Sequence, residues 1–250
     1  MRRALLLPVL LVLAAGCQAQ APARLVPPAA SEAASSDDAI PPPPETEPVD
    51  APCFGPNIED ADGTPGFIHV TRDDMPLRVA IGYPKVPPRY GSRADGRQVS
   101  IEAMQLWETA IRAQLPWFRM EFVQEDPDAA VQVTWSRVIA GPWAGFGWHT
   151  WRVEDGRLRV GGAMKVSTTP QGHAGLEARV KLDELRLLIA HEFGHVLGLP
   201  HCFDENSAMN YSWHLRGRTL VTEVDVQNFV ALVEQPNGTR VDGSPLSFAP

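Results

Sequence analysis

Apolar and polar residues alternate along LRVAIGY, residues 77–83, with a proline on either side, and that period of two predicts a strand. From residue 100 to about 115 the period lengthens. Ile101, Met104, Trp107, Ile111 and Leu115 recur at spacings of three and four, one face of an amphipathic helix that Pro116 closes. FRMEFVQ and AVQVTWSRV follow as two further strands, separated by Asp126, Pro127 and Asp128. Residues 141–151 are crowded with Gly and Trp and predict an irregular loop. GRLRVGGAMKVST offers one or two more strands, interrupted at Gly161 and Gly162. A second helix is predicted over 182–197, with Leu185, Leu188, Ile189 and Val196 for the core. A third runs over 222–233, where Thr222 and Asp225 have capping-box-like spacing and Val226, Phe229, Val230 and Val233 make an apolar stripe. The order is strand, helix, several strands, helix, then a short C-terminal part with one helix, and no internal repeat is visible. That order reads as an α+β chain.

The first 52 residues follow none of these periods. Arg2 and Arg3 precede a compact apolar stretch over residues 5–13 and the small residues Ala14, Ala15 and Gly16, the layout of a secretory signal over residues 1–16. Its end, LAAGC, resembles the bacterial lipobox, in which the chain is cut before the cysteine and lipid is added to it. The usual leucine is displaced by one, since Ala14 stands in its place. Cys17 is therefore the expected lipid-attachment residue, with ordinary secretion as the alternative. Gln18 after it favours the outer membrane of a bacterium over the inner. Residues 17–52 are mostly Ala, Pro, Ser, Glu and Asp, with Pro41 to Pro44 consecutive and almost no large apolar residue. Such a segment cannot bury enough surface to offset its ordering entropy, and it reads as an extended tether. The folded domain is expected over 53–250.

The formal net charge of the 250-residue chain is −8, and it becomes more negative if Arg2 and Arg3 leave with the signal. No Lys/Arg cluster with interleaved aromatics stands out, which argues against a nucleic-acid partner. An acidic domain is also repelled by anionic lipid, leaving acyl chains to carry membrane attachment. With Cys17 lipidated, Cys53 and Cys202 remain, and an exported domain can keep them as a disulfide. That bridge would tie the first ordered residues to the position beside His201. The alternative is that Cys53 stays a thiolate and ligates a metal.

Residues 191–201 read HEFGHVLGLPH. On a helix, His191 and His195 share a face and can grip one metal ion. Glu192, between them, can reach a metal-bound water without ligating the metal. Gly198 ends the periodic run and His201 follows three residues later, so a third ligand can arrive after the chain has turned. Three neutral nitrogens leave one position of a tetrahedral zinc open, the pattern of a catalytic site rather than a structural one.

Eight residues beyond His201 comes Met209, in SAMNY. With the long histidine motif it resembles the metzincin superfamily of zinc endopeptidases, and the spacing from His201 to Met209 is similar to that of the matrixin branch. LVTEVDVQNFVALV likewise resembles the helix that closes the matrixin domain. The resemblance covers roughly residues 66–235. It implies a zincin fold: a mixed twisted sheet with a long first helix and an active-site helix to about residue 198, then a small subdomain over 199–250 with a methionine turn and one helix. It implies one catalytic zinc ion on His191, His195 and His201, Glu192 as general base and then acid, and Met209 as a structural floor. It also suggests that an edge strand within 158–167 pairs with extended substrate. Two departures stand out. Tyr211 follows the methionine by two, as in the astacin and serralysin branches, where it can ligate the resting zinc and swing toward the oxyanion; matrixins typically have proline there. The His/Asp pattern of a second, structural zinc has no match in 141–175, and no calcium site is assigned.

The expectation is thus a zinc-dependent endopeptidase acting on protein or peptide chains, exported, monomeric and held to a membrane by lipid. The alternatives are a zinc amidase acting on cell-wall peptides and a non-catalytic surface binding module on the same fold. His69, His149, His173 and His214 read as surface or locally bonded residues, with His149 in GFGWHTW the one to watch as a cleft residue. Trp143, Trp148 and Trp151 are dense enough to form a cleft wall, and residues 213–220 are expected to supply the wall of the specificity pocket.

Overall fold

Ser92 starts the first helix. Its hydroxyl accepts the Asp95 N–H at 3.1 Å while the Asp95 carboxylate accepts the Ser92 N–H at 2.8 Å, a reciprocal cap that begins α1 at Arg93 and carries it to Arg112. The helix therefore begins eight residues before the apolar stripe does at Ile101. Its first turns are polar, and the buried Gly96 there packs against Pro84 and Pro88. The computed structural model describes residues 53–137, 139, 145–169, 179–204, 206–210 and 220–247, all of them within one unit, Thr46–Pro250.

The strands are β1 (Ile58–Glu59), β2 (Pro65–Phe67), β3 (Leu77–Ile81), β4 (Met120–Val123), β5 (Val131–Ser136), β6 (Gly145–Glu154), β7 (Arg157–Ser167) and β8 (Thr239–Arg240). The remaining helices are α2 (Leu182–Val196) and α3 (Glu223–Val233). The main sheet has the order β4-β3-β5-β7-β6, parallel throughout except for β6, which runs antiparallel to β7. A small antiparallel sheet, β1-β2-β8, joins the N-terminal segment to the C-terminal one. This is the mixed α/β scaffold of the zincin fold that the sequence implies.

Two expectations for the β6–β7 region need correction. The stretch read as an irregular loop is a strand from Gly145 onward, and β7 runs through Gly161 and Gly162 unbroken. The glycines mark close approach, not disorder of the ladder. A Cβ on Gly147 would overlap the Glu192 carbonyl of α2, and one on Gly161 would overlap the Ala130 carbonyl. The two strands join through Asp155 and Gly156, whose φ values of 51° and 72° are those of a tight hairpin turn. The hairpin also relocates the edge. β7, where the edge strand was expected, lies between β5 and β6, and β6 is the outer strand.

One apolar core lies between the sheet and the helices. Trp107 of α1 is fully buried, and its indole N–H donates to the Ala190 carbonyl of α2 at 2.8 Å. Phe118 and Phe229 meet edge to face at 5.7 Å, which seats α3 on the same core. The residue before the first ligand is thereby fixed from the opposite helix.

Candidate metal centre

The histidines come together as their spacing requires. One ligand atom from each of His191, His195 and His201 lies within 4.8 Å of the other two. His191 and His195 stand one turn apart on α2. Gly198, at φ 93°, then turns the chain out of the helix, so His201 returns to the same point from a loop.

Each helical ligand is oriented by its other nitrogen. His191 Nδ1 donates to the Ala208 carbonyl and His195 Nδ1 to the Leu199 carbonyl, both at 2.8 Å, which assigns Nε2 as the ligand atom. Burial also favours the neutral ring, the form that can ligate. It pulls His195 down to about 4, helped by the neighbouring charges of His201 and His149, and lowers His201 as well. Three imidazoles converging on one point, two of them with oriented outer nitrogens, fit zinc.

Glu192 is buried beside them, beneath β6. Burial pushes its carboxyl up to about 7, against the pull of the Gly147 N–H that hydrogen-bonds it. A Cβ on Gly145 would sit 3.0 Å from Glu192 Cγ. The outer strand therefore roofs the carboxylate with two glycines.

Met209 is buried under α2, where its sulfur occupies the space a Cβ on Gly194 would need. The turn that carries it is held by Asp225, the N3 residue of α3. That fully buried carboxylate accepts the Ser207 hydroxyl at 2.5 Å, the Ala208 N–H at 3.0 Å and the Thr222 N–H at 2.8 Å. Since Ala208 orients His191, a continuous path of hydrogen bonds runs from the cap of α3 to the first ligand. The sequence shows Asp225 only as a cap, because its second use is a tertiary contact. The buried Asn210 side chain ties the loop further, donating to the carbonyls of Phe203 and Asp204 at 3.3 and 2.9 Å.

Cys53 and Cys202 are joined, with their Cα atoms 5.1 Å apart, which leaves Cys53 no thiolate for a metal. His69 is bonded locally, its ring nitrogens 3.1 and 2.9 Å from the Val70 and Gln235 carbonyls. His149 lies on β6, half-buried against the backbone of Asn57 and His195, and that burial lowers its pKa. Trp148 and Trp151 fall on opposite faces of β6 and share no wall; Trp151 lines a hollow with Ile58, Leu246 and Ser247 instead. Cys17, Trp143, His173, Tyr211, His214 and all but the last residue of the expected pocket wall over 213–220 lie outside the described residues.

A three-histidine centre on a helix and its following loop, with a buried glutamate between the ligands and a mixed sheet above, defines a metallopeptidase of the zincin class. The family model for Matrixin matches residues 87–232, from α1 through β4, β5, β6, β7 and the histidine centre into α3, and the chain belongs to the matrixin family. No curated protein matches the chain in a sequence comparison. As a matrixin the protein is a metallopeptidase, a hydrolase whose substrates are protein or peptide chains.

Proposed function

We propose that the protein is an exported zinc endopeptidase that cleaves extended polypeptide by general-base hydrolysis. The observation that carries this reading is the buried Glu192 carboxyl set between His191 and His195 and roofed by the outer strand. His191, His195 and His201 hold the ion. When bound, zinc supplies a Lewis acid that polarises the scissile carbonyl and makes water acidic enough to give up a proton near neutral pH. Glu192 takes that proton and delivers it to the departing amine. Tyr211 adds a hydrogen bond to the oxyanion. The outer edge of β6, which has no partner strand among the described residues, receives substrate as an added antiparallel strand through backbone hydrogen bonds.

Glu192→Gln keeps the shape and the zinc and removes the base. It is expected to retain stoichiometric zinc and lose casein hydrolysis by at least ~100-fold. Unchanged turnover overturns the mechanism. Hydrolysis of purified peptidoglycan in preference to casein favours the cell-wall amidase instead, and tight binding without turnover by the zinc-loaded protein favours a binding module. Cys17 carries the lipid that holds the domain, as a monomer, to the outer membrane. In a bacterial host Cys17→Ser is expected to move the protein from the membrane fraction to the soluble exported fraction.

A further inference from the structure

The loop that carries the third ligand is grasped at both ends by one short piece of chain, residues 53–57. At the near end, the Asn57 side-chain N–H₂ donates to the carbonyl of Gly198 at 3.3 Å and to that of Ile68 at 2.8 Å. Its oxygen accepts the Ile68 N–H at 2.9 Å, so the amide is spanned between the N-terminal hairpin and the turn that leaves α2. At the far end, Cys53 is bonded to Cys202, the residue after His201, across a sequence separation of 149. The Cys53 N–H donates to the Asn228 side-chain Oδ1 on α3 at 3.1 Å, which fixes the anchor itself. Between the two ties the loop is held by bonds of its own, among them the Leu199 N–H to the Gly194 carbonyl at 3.0 Å. His195 Nδ1 holds Leu199, and the Cys202 N–H donates to the Met209 carbonyl at 2.8 Å. His201 is the only one of the three ligands that no helix positions.

We propose that Asn57 and the Cys53–Cys202 disulfide are positioning elements for His201, so that the N-terminal strap sets how firmly the protein retains its metal and makes that retention depend on thiol redox state. The inference rests on the zinc reading of the centre. A ligand held in place before the metal arrives loses little freedom on binding, whereas a loose loop must be ordered by the metal at each encounter. Loss of an outer partner of a metal ligand lowers metal affinity by roughly 10- to 100-fold in comparable sites, and the same range applies here. The redox step is a simple exchange. A dithiol reductant gives two electrons and two protons to the Cys53–Cys202 bond, leaving two thiols and becoming a cyclic disulfide itself. Only the disulfide tie at Cys202 is lost, so of the strap's two holds on the loop the one at Asn57 remains.

The test is the rate of zinc release from the zinc-loaded full chain to a chromogenic chelator, read without any substrate. Asn57→Ala and Cys53→Ser/Cys202→Ser are each expected to release zinc about tenfold faster than the oxidised wild type. A dithiol reductant accelerates release from the wild type and leaves the Ser/Ser variant unchanged. Val133→Ala, a truncation in β5, serves as the control: it lowers stability to denaturant and leaves the release rate at the wild-type value. Wild-type release rates in both strap variants, or equal acceleration by Val133→Ala, overturn the proposal. The outcome is separable from the peptidase reading. Stoichiometric, strap-dependent zinc with no casein hydrolysis sinks the peptidase and keeps the strap, whereas a wild-type chain that takes up no zinc sinks the metal centre and the proposal with it.

Discussion

Gly147 does two jobs with one backbone. Its N–H reaches the Glu192 carboxyl, and its missing side chain lets β6 settle directly on the Glu192 carbonyl. A methyl group there has nowhere to go, because the obstacle is main chain on both sides. Gly147→Ala is therefore expected to cost about 1–3 kcal/mol, the range for an overpacked site, and to lower kcat/KM at least ~10-fold as the strand lifts from the carboxylate. Urea denaturation and peptide kinetics check the two halves separately; full stability with full activity would mean that the approach is looser than the geometry says. The contrast with His191, His195 and His201 is instructive at this scale. Their chemistry is local in sequence, four and six residues apart, so their convergence is legible from spacing. The glycine in GFGWHTW is just as specific in its effect, but its partner is 45 positions away on another element, and its local signal is that of a loop.

At the scale of elements, α3 holds the turn that carries Met209 through its own first turn. Thr222 and Asp225 are visible in the sequence as a cap, and the helix forms where that signal places it, over Glu223–Val233. What the signal does not carry is that the same carboxylate also holds Ser207 and Ala208. The same limit explains the sheet. The strands with alternating side chains, β3 and β5, stand where their period puts them, whereas β6 and β7 are masked by glycines whose reason is packing, and the Asp155-Gly156 turn between them is the only local clue to the hairpin. The double duty of Asp225 separates two variants. Thr222→Val removes only a hydroxyl at the cap and is expected to cost about 1 kcal/mol. Asp225→Ala strands the Ser207 hydroxyl and the Ala208 N–H in the interior and is expected to cost about 3 kcal/mol or more, with weaker zinc retention because Ala208 orients His191. Equal costs for the two variants in urea denaturation would show that the carboxylate serves the helix alone.

Across the whole domain, the two ends of the described chain are knotted to each other by a single buried carboxylate. Asp60, just after β1, accepts the backbone N–H of Ser247 at 3.0 Å and its hydroxyl at 2.7 Å. The Ala61 N–H and the Arg240 guanidinium add bonds at 2.7 Å each. The Ser247 donors, then Ala61 and Arg240, hold the Asp60 carboxyl well below its ordinary value of 3.8, against the opposing effect of burial. A group ionised more readily in the folded chain than in the unfolded one stabilises the fold fully above the unfolded value and loses that contribution as pH falls toward the folded one. Asp60→Asn is accordingly expected to be less stable than the wild type at pH 7, with the gap between the two narrowing progressively below pH 3.8. Asp62 and Asp242 remain in both proteins, each lowered chiefly by its own neighbour, Thr64 and Ser244, so most of the difference between variant and wild type belongs to Asp60. Urea midpoints taken from pH 7 down to the acid limit of the folded state measure it. A gap of constant size across that range would mean that Asp60 is held by shape rather than by charge, and that the junction of the two ends would survive in acid.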